Sequence, residues 1–97
     1  MYGTIARLHP RADRLDEFWA MGDEMRAAPM AGFVASYMFQ PDHNPYDKPT
    51  MFLVAVFEDE PTYKTNADSP EQDARFRRLR ELLVDDPDWM DGTFTGI

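Results

Sequence analysis

Met51-Phe52-Leu53-Val54-Ala55-Val56-Phe57 is the longest apolar run in the chain, and its reading decides the fold. Its β-branched and aromatic content makes it a strand. Successive strand side chains alternate, so Met51, Leu53, Ala55 and Phe57 share one face, and Phe52, Val54 and Val56 share the other. A strand with one solvated face would carry polar residues at every second position. This one requires cover on both sides, yet it is far too short to span a bilayer, which takes about 20 apolar residues in a helix.

Upstream, Gly32 to Phe39 reads as a second strand, with Val34 and Met38 facing one way and Phe33, Ala35, Tyr37 and Phe39 the other. Gln40 to Thr50 carries Pro41, Pro45 and Pro49 among polar residues, which suits an exposed hairpin loop between antiparallel partners. Tyr2 to Leu8 is a first strand, broken by His9-Pro10 because proline offers no N–H. From Arg11 to Ala28 the apolar positions Leu15, Phe18, Trp19 and Met25 are spaced for one helical face, with acids between them.

Downstream, a short helical turn over Thr62 to Ala67 precedes a second start signal. Ser69 can cap, Pro70 suits the first helical position, and Gln72 sits where a capping box needs it. This helix runs to about Val84 with a stripe of Phe76, Leu79, Leu82 and Leu83. Glu71/Arg75, Asp73/Arg77 and Arg77/Glu81 are i, i+4 pairs, and Arg75, Arg77, Arg78 and Arg80 read as a solvated face. Asp85 to Gly92 reads as a turn into a last strand, Thr93 to Ile97.

The order is β-α-β-β-α-β, an α+β, ferredoxin-like arrangement expected to form one domain over residues 1–97. Two main helices can cover one face of an antiparallel four-stranded sheet. The other face then needs a second copy of the chain, so a homodimer is expected.

Composition narrows the function. The 97 residues carry 10 basic and 18 acidic side chains, a formal charge of −8, which repels nucleic acid and anionic membranes. Cysteine is absent, which excludes a disulfide framework, a thiolate nucleophile and cysteine-ligated zinc. Met1 to Arg7 lacks a basic region followed by an apolar run, so a cytoplasmic location is expected. No glycine-rich phosphate loop is present, and no stoichiometric metal, flavin or haem is expected.

The element order, the stretch Tyr63-Lys64-Thr65-Asn66-Ala67-Asp68-Ser69-Pro70-Glu71-Gln72 after the third strand, and the closing Asp86-Pro87-Asp88-Trp89-Met90-Asp91-Gly92 resemble the antibiotic-biosynthesis-monooxygenase-type proteins. The resemblance covers essentially the whole chain and implies a dimeric α+β barrel. It also implies an oxygenase that needs neither metal nor organic cofactor, in which a bound phenol or hydroquinone loses a proton and itself reduces dioxygen. In such enzymes an asparagine and a tryptophan in the corresponding helical segment donate hydrogen bonds to the substrate. Asn66 matches the asparagine, whereas Pro70 and Phe76 stand at the tryptophan position and at a later tyrosine position. The haem-degrading relatives place a histidine on the second helix, and this helix has none.

Asn66 is therefore the first candidate catalytic residue, although asparagine also favours helix ends for backbone reasons. His9 could act as a general base near neutral pH, or be an ordinary strand-end residue. His43, beside Asp42, reads as a solvated loop histidine. Trp19, Tyr37, Tyr63, Phe76 and Trp89 could line a pocket for a small aromatic ligand or simply fill the core. Three functions fit: a cofactor-independent monooxygenase of a quinol or polyketide-like substrate, a non-catalytic small-molecule binder, and a structural dimer of the same fold.

Overall fold

The computed structural model describes every residue from Met1 to Ile97. Its elements are β1 (Tyr2–Leu8), a 3-10 turn (Ala12–Arg14), α1 (Leu15–Ala27), β2 (Phe33–Phe39), β3 (Met51–Phe57), α2 (Glu60–Ala67), α3 (Pro70–Glu81) and β4 (Asp88–Thr93). The strands form one antiparallel sheet in the order β2-β3-β1-β4, the ferredoxin-like arrangement. No helix is long and apolar enough to cross a membrane.

Register assigns the faces. Ala6 pairs with Leu53 and Trp89, and Thr4 with Ala55 and Asp91, so these residues share the face beneath the helices. The core lies there, where Ala6, Leu8 and Met51 meet Phe18 and Met21 of α1, Leu79 of α3, and Leu82 and Leu83 just beyond it. Each large side chain so buried is worth about 1.5–3 kcal/mol. On the opposite face Ile5, Val54 and Val56 lie between the edge residues Tyr37, Phe39 and Met90, which are 66%, 57% and 65% exposed.

Four local expectations are corrected. Strand β2 carries a bulge, with Phe33 opposite Phe57 but Ala35 opposite Val56, leaving Val34 as the extra residue. Phe33 thereby joins Ser36 and Met38 on the helix side, away from Ala35, Tyr37 and Phe39. The turn expected over Thr62 to Ala67 is a full helix from Glu60, started by the Asp59 carboxylate, which accepts from Thr62 N at 2.9 Å. Helix α3 stops at Glu81, ahead of Val84, because Leu83 bridges to Pro10 and Val84 N donates to His9 O at 2.8 Å.

The final strand is Asp88–Thr93, not Thr93 to Ile97. Aspartate and glycine there look like turn residues, but β4 is an edge strand, where such residues are tolerated. Its acids are engaged from two sides: Asp88 pairs with Arg7 of the neighbouring β1 at 3.0 Å, and Asp91 accepts from Tyr63 of α2.

Candidate functional site

Between the helices and the sheet lies a cavity of about 470 Å³, within the range that holds small ligands. Hydrophobic side chains make up 11 of its 18 lining residues. Its floor is the helix-side face of the strands, including Ser36, Ala55, Trp89 and Asp91, and its walls are α2, α3 and the end of α1. The close of α2 and the middle of α3 put Asn66 and Phe76 on the wall of the same space.

Of the residues singled out in the sequence, Asn66, Tyr63, Phe76 and Trp89 line this cavity together. Phe76 and Trp89 meet across it, ring centroids 6.1 Å apart. Tyr37 and Trp19 instead line a smaller hollow of about 110 Å³ beside α1, and Tyr37 stands at the edge of the open sheet face. His9 lies outside the cavity. It is buried, its Nδ1 is 3.2 Å from Pro49 O and 3.0 Å from Thr50 Oγ1, and Tyr46 stacks edge-on against it. A carbonyl can only accept, so Nδ1 carries the proton in this contact. His9 thus ties the proline loop to the end of β1.

Asn66 uses only its backbone as a cap. Its carbonyl accepts from Ser69 Oγ at 2.8 Å and from Ser69 N at 3.0 Å. The side chain that caps α3 is Ser69, accepting from Gln72 N at 3.1 Å. The Asn66 carboxamide makes no hydrogen bond within the protein, which leaves a two-donor group free on the cavity wall.

On the sheet side of the same cavity is a polar group that sequence reading passed over. Tyr63 Oη donates to Asp91 Oδ1 at 2.9 Å. Burial and, after it, this bond push the Tyr63 phenol up to about 12. Tyr63 therefore keeps its proton at neutral pH and stays a donor. Asp91 was hidden by its turn-like neighbours. The period-two pattern of Trp89 and Asp91 would have revealed it, had β4 been started five residues earlier, at Asp88.

Arg75 was also missed. The expected pairing with Glu71 is not formed, and its Nη1 donates instead to Gln72 Oε1 at 3.2 Å on the cavity rim. Asp73 does pair with Arg77, at 3.0 Å, while Arg78 and Arg80 reach Glu24 and Asp86. Arg75 is thus a cation on the cavity wall rather than part of a solvated ion-pair row. No group of three or more His, Asp or Glu side chains is arranged to hold a metal ion.

No family model matches the chain, and no curated protein matches it by sequence. Solved structures do match. SnoaB, a cofactor-independent oxygenase from Streptomyces nogalater seen as a variant with one asparagine replaced by alanine, superposes with a TM-score of 0.79 at 17% identity, over 99% of this chain and 94% of its own. Rv0793 from Mycobacterium tuberculosis gives 0.77 at 17% identity, over 99% of this chain and 96% of its own. An antibiotic biosynthesis monooxygenase gives 0.71 at 11% identity, over 99% of this chain and all of its own length, 100%. The likeness is one of fold, and the chain has the ferredoxin-like fold of the antibiotic-biosynthesis-monooxygenase-type proteins.

Proposed function

We propose that this chain is a cofactor-independent monooxygenase of a small aromatic hydroxyl compound, working as a homodimer. The observation that carries the reading is the unengaged carboxamide of Asn66 on the wall of a largely apolar cavity. An apolar pocket binds an aromatic ring by excluding water, and one well-placed donor then decides how its oxygen ionises. A donor that binds the phenolate more strongly than the phenol lowers the bound substrate's pKa. The deprotonated ring is electron-rich and reduces dioxygen directly. With a naphthohydroquinone, one oxygen atom enters the ring and the other leaves as water, giving a hydroxynaphthoquinone. All four electrons come from the substrate.

The fold shared with SnoaB supports this reading, since that protein is described as a cofactor-independent oxygenase. The open, apolar sheet face supports the dimer. The test is oxygen uptake on a naphthohydroquinone under isotopically labelled dioxygen. The wild type should place one labelled atom in the quinone product. Asn66→Ala should lower the rate by about 10- to 1,000-fold, the loss of one preorganised donor, up to ~4 kcal/mol. Its melting temperature should change little, because the carboxamide supports no other group. Saturable binding without uptake above the uncatalysed rate would reject the oxygenase and leave a small-molecule binder.

A further inference from the structure

The cavity wall is polar at two places, one on the helices and one on the sheet, and the polarities differ. On the helical side, Asn66 and Arg75 present N–H donors. On the strand side stands Asp91, whose Oδ1 is occupied by Tyr63 and whose Oδ2 has no hydrogen-bond or ion-pair partner in the protein. The other acid on the wall, Asp73, is engaged by Arg77 at 3.0 Å. A carboxylate is an acceptor only. It rewards a ligand group that donates and repels one that can only accept.

We propose that Asp91, held in place by Tyr63, is a specificity residue that admits an aromatic ligand through its hydroxyl and disfavours a carbonyl, ether or carboxylate at that position. The inference rests on the reading that the cavity takes an aromatic hydroxyl compound, and it adds which end of the ligand is read and by what. A hydroquinone satisfies both walls, with one oxygen toward Asn66 and Arg75 and the other hydroxyl donating to Asp91 Oδ2. The matching quinone turns a carbonyl toward the carboxylate, so two acceptors face each other with no proton between them. The same residue that favours the reduced substrate thereby weakens the hold on an oxidised product.

The experiment is equilibrium binding without oxygen, read by quenching of tryptophan fluorescence, since Trp89 lines the cavity. Four probes are compared: a naphthohydroquinone, its monomethyl ether, its dimethyl ether and the naphthoquinone. The wild type should bind the first two alike, because one hydroxyl suffices for Asp91. It should bind the dimethyl ether and the quinone about tenfold more weakly, the low end for a hydrogen bond to a charged group because Asp91 is exposed. In Asp91→Asn the new amide can donate to a carbonyl, so the preference for hydroquinone over quinone should vanish or invert. The wild-type series tests the inference even if that variant folds poorly.

Equal affinity for all four probes, or an unchanged preference in folded Asp91→Asn, would overturn it, as would failure of every probe to bind. Oxygen uptake separates this outcome from the proposed function. Unselective binding with uptake rejects the role of Asp91 alone, and selective binding without uptake rejects the oxygenase alone.

Discussion

Tyr63 answers to three neighbours. Its ring packs edge-on against Tyr2 and Phe57, at centroid distances of 5.4 and 5.6 Å, while its hydroxyl holds Asp91. Ionising it would place an anion in a partly apolar site beside a carboxylate, so its folded-state pKa lies near 12. The unfolded chain ionises this phenol near the ordinary value of about 10. The contribution of Tyr63 to stability is therefore whole below about pH 10 and is lost as pH rises through the folded value. A spectrophotometric titration should show a late tyrosine phase near pH 12 that disappears in Tyr63→Phe, and the variant should lose less stability between neutral and strongly alkaline pH. A variant that retained the late phase would show that another phenol produces it.

At the scale of elements, two glycines make opposite predictions. Gly32 leads into β2 with φ +72, and a Cβ there would lie 2.1 Å from the Thr62 methyl of α2. Gly32→Ala should destabilise by about 2 kcal/mol, from left-handed strain and the displaced threonine. Gly22 lies within α1 with nothing within 4 Å of an added Cβ. Gly22→Ala should stabilise by about 0.5–1 kcal/mol, since alanine loses less backbone freedom in a helix. Denaturant midpoints with unchanged slopes would check both signs. Sequence reading reached the elements that local chemistry decides. Strands with apolar faces, the Ser69-Pro70 start and the two-sided demand of β3 were legible because they follow from local chemistry. The bulge at Val34 and the early β4 were not, because partners far along the chain decide them: Phe57 and Val56 for the first, Arg7 and Tyr63 for the second. Asn66, Tyr63, Phe76 and Trp89 were singled out by type and line the cavity, whereas placing Asp91 and Arg75 on its wall needed the register of a strand and the rotation of a helix.

For the whole molecule, the decisive fact is a sheet covered on one side. The open face presents Tyr37, Phe39 and Met90, all more than half exposed, at its edges around the half-buried Ile5 and Val54, an apolar patch of the kind that marks an interface. We expect this face to close on a second copy, with about 2,000 Å² or more buried in total. Sedimentation equilibrium should give a dimer at micromolar concentration. Phe39→Glu should shift it to monomer, by burying an unpaired charge, while leaving the cavity on the other side intact. A wild type that stays monomeric would reject the dimer. In β3 the residues that floor the cavity and those that face outward take turns, Leu53 and Ala55 inward, Val54 and Val56 outward. Two messages are thus written in alternate letters of one word. No cut-and-paste of a contiguous segment can carry the pocket to another protein without the outer surface, and a lineage that alters one must do so letter by letter, leaving each neighbouring letter legible to the other reader.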